Sequence, residues 1–136
     1  MLRTWIKAGQ MAVLALGLAS AGGCAAAAVA AAGAGGGIYL TSQGAESMLN
    51  QPAATVAGRV PGVLSSMGIS VTDHKTEHDG MEHEWTGTGT DNMEVHVQVK
   101  SETNGSSRVS ASARKNMAQW DKDYAQQIVA RITSAR

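Results

Sequence analysis

The stretch DHKTEHDGMEHEW, residues 73–85, sets His74, His78 and His83 among Asp73, Glu77, Asp79, Glu82 and Glu84. Imidazole and carboxylate together suit zinc or copper. With the four runs after Gly68 taken as alternating strands, His74 comes opposite Glu84, and His96 lies diagonal to Glu84. His74, Glu84 and His96 are therefore the candidate metal set. His83 is expected on the opposite face, as a hydrogen-bonded histidine at the margin of the core, and His78 in a loop. Ligands on a flat open sheet lack the outer hydrogen bonds that orient them. The expectation is accordingly a solvated face with His–Glu cross-strand pairs and no metal or other cofactor.

Nucleophilic chemistry has less to work with. No serine sits in a GxSxG context, where a sharp turn would expose the hydroxyl. Glu82 and Glu84 fall on the exposed side, where nothing excludes water from a general acid or base. No enzymatic activity is expected. Gly87 and Gly89, in TGTGT, are expected to point inward. There they either open a small pocket for an apolar ligand or admit a close approach of a helix to the sheet.

The elements that must hold these residues are legible from periodicity. Residues 69–114 alternate in four runs separated by HDG (78–80), TDN (90–92) and TNG (103–105). Three-residue hairpin loops, with Gly80, Asn92 and Gly105 in the left-handed conformation, set one register for all four runs. Val71 then faces Gly87, Gly87 faces Val95, Trp85 faces Val97, and Val99 faces Val109. One side collects Ile69, Val71, Met81, Trp85, Met93, Val95, Val97, Val99, Val109, Ala111 and Ala113. The other collects Thr72, His74, Glu82, Glu84, Thr86, Glu94, His96, Gln98, Lys100 and Arg108. A one-residue slip would scramble this separation.

Helical periodicity flanks the sheet. Residues 50–68 read as one helix with Asn50 at its cap, Pro52 in its first turn and an apolar stripe of Val56, Val60, Val63 or Leu64, and Met67. Gly68 ends it, and Pro61 should kink or restart it. Residues 117–134 read as a second helix, with Met117, Trp120, Tyr124, Ile128 and Ile132 on one stripe and Asn116 or Asp121 as cap. Residues 38–49 hold a β-prone piece, a Gln43-Gly44 turn and room for a second short strand. The fold expected is α+β: a four-stranded antiparallel meander with both helices on its apolar face, in the order α-β-β-β-β-α, with a short extra N-terminal strand or hairpin as an addition.

Upstream of Ile38 the chain is of another kind. Its only charges there are Arg3 and Lys7, and the next is Glu46. MLRTWIK (1–7) is basic, MAVLALGLA (11–19) is apolar, and Ser20–Gly23 are small, which is the order of a secretory signal. The apolar run is too short for a bilayer span. Residues 25–37, nearly all Ala and Gly, suit a tether rather than a core or a stable isolated helix. Past residue 23, nine Lys and Arg stand against eleven Asp and Glu, dispersed, so no nucleic-acid partner is expected. Cys24 is the only cysteine, which rules out an internal disulfide.

AGGC at 21–24 resembles the bacterial lipoprotein signal, in which small residues end in a cysteine at the cut. Ala21 stands where that signal usually has Leu. The resemblance implies a diacylglycerol on the Cys24 thiol and a further acyl chain, palmitate among them, on the freed amine. Two or more chains anchor stably where one does not. The alternative is a plain secretory signal cut after Ala21, leaving a free thiol. The whole chain is similar to a family of small bacterial envelope lipoproteins catalogued only as a domain of unknown function. Its layout is a signal ending in Cys, an Ala/Gly tract, a YxxxxGxE-like element (Tyr39, Gly44, Glu46), then helix, four-stranded meander and helix. Pro61 is a departure.

That likeness implies a lipid-anchored domain in the cell envelope, facing the periplasm, on the outer membrane rather than the inner. It implies no reaction. The expected organisation is a signal peptide over 1–23, lipidated Cys24 with its tether over 24–37, and one domain over 38–136. The expected activity is non-enzymatic binding or a structural role, with an envelope protein as partner. The alternative is a small-ligand or metal-binding lipoprotein using the His/Glu face or the glycine pocket.

Overall fold

The computed structural model describes residues 37–135, so the signal segment, Cys24 and the tract up to residue 36 lie outside the described residues. The strands are β1 (Ile38–Leu40), β2 (Gly44–Leu49), β3 (Ser70–Glu77), β4 (Glu82–Thr88), β5 (Glu94–Ser101), β6 (Ser107–Asn116) and β7 (Gln119–Trp120). The helices are α1 (Ala53–Ala57), α2 (Val60–Ser66) and α3 (Lys122–Ser134). The fold is α+β, with one antiparallel sheet in the order β1-β2-β6-β5-β4-β3 and β7 paired to the far end of β6.

Alternation builds the sheet. Val95, Val97 and Val99 of β5, Val109, Ala111 and Ala113 of β6, and Trp85 of β4 are buried on one side. The residues between them reach the solvated side. Facing pairs occur as the loops imply: Val71 with Gly87, Gly87 with Val95, Trp85 with Val97, Val99 with Val109. Gly80, Asn92 and Gly105 all have positive φ. Helix α3 packs on β2 and β6, α1 on β5 and β6, and α2 against α3 and the start of β3. All three therefore cover the apolar face, with Ile128, Val129, Ile132, Val56, Val60 and Leu64 completing the core.

The four strands expected are widened by the short N-terminal hairpin β1–β2, expected as an addition, and by β7, which is not expected. β2 pairs with β6 along its whole length, from Gly44–Ser112 to Leu49–Ser107, and carries β1 at its outer edge. Gly44 belongs there for a packing reason. A Cβ at that position would fall 2.0 Å from the Ala111 carbonyl oxygen.

The single helix expected over 50–68 is two. α1 ends at Gly58, and Pro61 sits in the first turn of α2, where the N–H it lacks has no helical partner to lose. Pro52, rather than Asn50, occupies the cap position of α1. Gly68, at φ 72°, ends the helical segment.

The C-terminal helix is shorter than expected. β6 runs on to Asn116, whose side-chain oxygen accepts from the Ala118 N–H at 3.0 Å, turning the chain back into β7. Met117 is 89% exposed at that turn, and Trp120 lies in β7. Asp121 is the cap, accepting from the Tyr124 N–H at 2.9 Å.

Two of the three hairpins hold the expected register throughout. The first changes partway. Beyond Val71, a bulge at Thr72 shifts β3 by one residue, so Asp73 faces Thr86 and Glu77 faces Glu82. The connecting loop is thus four residues, His78–Met81, with His78, Asp79 and Gly80 all at positive φ. Everything after the bulge changes face.

Candidate functional site

The bulge decides the fate of the metal set. His74 stands opposite Trp85, not Glu84, and so lies on the helix-bearing side of the sheet. Its ring stacks on the Trp85 indole at 4.7 Å between centroids, 6° from parallel. His83 adds a third roughly parallel ring, 5.8 Å from Trp85. His83 is held at the core margin as expected, with Nε2 3.1 Å from the Gly80 carbonyl and Nδ1 3.4 Å from the Thr76 hydroxyl. Glu84 and His96 do remain neighbours across β4 and β5, at 3.9 Å. His74, Glu84 and His96 do not converge.

The polar face gathers a different set. β5 presents Glu94 and His96 two residues apart, β4 presents Glu84 and Thr86, and β6 presents Arg114 directly opposite Glu94. His96 Nε2 donates to Glu94 Oε1 at 2.8 Å, and the second Glu94 oxygen accepts from Arg114 at 2.7 Å. The Arg114 guanidinium hydrogen-bonded to Glu94 holds its carboxyl below the usual range, and the His96 hydrogen bond adds to this. The guanidinium also lies over the Trp120 ring, 5.4 Å from its centre, a cation–π arrangement. The result is a row Glu84–His96–Glu94–Arg114–Trp120 across three strands and β7.

Thr86 Oγ1 is 3.3 Å from His96 Nδ1, which completes a hydroxyl–imidazole–carboxylate line with Glu94. In outline this is a nucleophile, a base and its orienting acid. Yet the N–H groups of paired strands are engaged in the ladder and cannot serve as oxyanion donors. The face is also open to water, with the His96 and Glu94 side chains 39% and 44% exposed. This row suits contact with a polar surface better than bond cleavage.

A second cluster lies at the first hairpin. His78 Nδ1 is 3.3 Å from Glu82, and Glu77, His78 and Glu82 offer ligand atoms within 4.8 Å of one another. The adjoining hollow is lined by His78, Met81, Glu82, Lys100 and Ser101. Glu82 also accepts from the Gln98 amide, and the ammonium of Lys100 opposes a cation there.

Of the two glycines of TGTGT, Gly87 serves close packing. A Cβ on Gly87 would lie 2.9 Å from both the Ile69 methyl and the Ser70 carbonyl oxygen. The space beneath Gly87 is therefore filled by the start of β3, and Gly89 lies against Tyr124 and Ile69.

Sequence reasoning overlooked Arg114 and assigned Trp120 to a helix. The first was within reach, since the TNG loop that sets Val99 opposite Val109 also sets Glu94 opposite Arg114. The second needed the β6–β7 turn. Among known proteins, no family model matches the chain, and no curated protein matches it.

Proposed function

We propose that this chain is a bacterial envelope lipoprotein that displays a small, non-enzymatic binding domain at a membrane surface. The observation that carries this reading is the order of the first 24 residues: two cations, a short apolar run, small residues and the sole cysteine. An Ala/Gly tract follows, and β1 begins directly after it at Ile38. A tether is useful only if a compact unit follows it, and the α+β domain supplies one. No helix among the described residues is long and apolar enough to cross a membrane. In this reading the acyl chains on Cys24 supply the attachment. The unit displayed is the β3–β6 meander with its helices on one side, and its polar face carries the Glu84–Trp120 row outward to an envelope protein in the periplasm.

The test is mass spectrometry of the mature N-terminus from membrane fractions. The expected chain starts at Cys24 and carries acyl mass, and Cys24→Ala leaves the protein unacylated and uncut at that site. A mature chain starting at Gly22 with a free thiol would overturn the proposal.

A further inference from the structure

β3 is the last strand of the sheet, and no strand pairs with its outer edge among the described residues. All its residues, Ser70 to Glu77, are exposed. The opposite edge differs: β1 has three residues, and its Ile38 is buried. An open edge presents unpaired N–H and C=O groups to any second strand. Edge strands commonly carry a bulge and a lysine that discourage such pairing, and β3 has both, at Thr72 and Lys75. Here, however, the lysine is balanced. Asp73 and Lys75 flank His74 symmetrically, so the strand complements its own charge pattern when turned end for end.

We propose that two copies of this chain pair edge to edge through β3, antiparallel, about a two-fold axis at His74. In that register each Asp73 stands opposite Lys75 of the other copy, and His74 stands opposite His74. Asp73 and Lys75 face Thr86 and Glu84 of β4, so the four charges alternate on the polar face. Among the described residues of the single copy these two pair only with each other, at 3.7 Å and with both side chains more than half exposed. They are therefore free to exchange partners. On the other face, the two-fold brings the two His74 rings together, each beside the His83 and Trp85 rings of its own copy.

The charges also select the register. Directly opposed residues share a face, so only shifts of two residues keep both faces continuous. One such shift sets Asp73 against Asp73. The other sets Lys75 against Lys75 and Asp73 against Glu77. A further shift centres the pair on Thr76 and sets Lys75 against Glu77, but it also sets Asp73 against Asp79 of the loop. Like charges directly opposite destabilise a strand pair, which favours the register centred on His74, where both charges meet their complement.

The test is charge reversal with rescue, read by sedimentation velocity on the full chain purified from membranes in detergent. The wild type is expected to associate as a dimer with rising concentration. Asp73→Lys alone and Lys75→Asp alone should each weaken the dimer at least tenfold, about 1.4 kcal/mol. An equal mixture of the two single variants should form mixed dimers, because every opposed pair is then opposite in sign. The double variant Asp73→Lys/Lys75→Asp should dimerise with itself for the same reason. Thermal melts of each chain confirm that the exposed substitutions leave it folded. A monomeric wild type overturns the proposal, as does a dimer indifferent to the single reversals, which would put the contact elsewhere. Folded single variants that stay monomeric when mixed overturn it too.

Discussion

Glu94 accepts from two donors at once, Arg114 on one oxygen and His96 on the other, and its depressed carboxyl follows from them. A carboxyl depressed in the folded state contributes stability above its ordinary range and loses it as pH falls through the folded value. On an exposed face that contribution is small, so the informative measurement is the titration itself. Arg114→Gln should raise the Glu94 midpoint toward the ordinary carboxylate range, followed by carbon NMR of its side chain. An unchanged midpoint would mean that the Arg114 hydrogen bond is not what lowers it. Trp120 should lose part of its ring contact in the same variant, since Arg114 lies over it.

Among the elements, α3 depends most visibly on a single side chain. Asp121 caps it through the Tyr124 N–H, and that bond, with Lys115 at 3.3 Å, holds the Asp121 carboxyl below its usual range. Asp121→Ala should cost about 1 kcal/mol, the usual loss for an N-cap carboxylate. The sign with pH follows. The cap stabilises above the ordinary carboxylate range and fails as pH falls through the folded value, so wild type and variant should converge in acid. Urea denaturation at neutral and acidic pH measures the gap; a gap that widens in acid would contradict the capping account. β3 shows the opposite case. Its alternation sets Val71 opposite Gly87 correctly, but nothing in its residue types marks the bulge at Thr72 that turns His74 over.

At the scale of the molecule, the described helices cover one side of the sheet, and its stability rests on that covered side. Val97 is 1% exposed, between Trp85 and Ala111 on neighbouring strands and beneath the helices. Val97→Asp would bury a charge with no partner. The expected result is loss of the cooperative denaturant transition, a cost above roughly 4 kcal/mol. A variant that still unfolds cooperatively near the wild-type midpoint would mean that the face assignment is wrong. The insertion of β2 beside β6 has a larger consequence. It seals one edge of the β3–β6 series and, among the described residues, leaves β3 as the long open edge.

The sequence by itself determined the α+β class, the polarity of the sheet, most of the strand register, the helix break at Pro61 and the stop at Gly68, and it narrowed the cap of the last helix to Asn116 or Asp121. Those properties are local. Period-two alternation, left-handed loop residues and capping side chains act within a few positions of the backbone they shape, so residue types suffice to read them. Only the tertiary structure decided that β2 joins β6, that β7 lies before α3, and that His74 stacks on Trp85 instead of meeting Glu84. Each of these depends on a partner far along the chain or on a one-residue offset that packing imposes. Gly44 can lie against the Ala111 carbonyl because it lacks a Cβ. Ile69, seated under Gly87, holds the start of β3 one step out of phase with its hairpin end. Such offsets leave no periodic trace in the sequence, because what sets them is the shape of the neighbour.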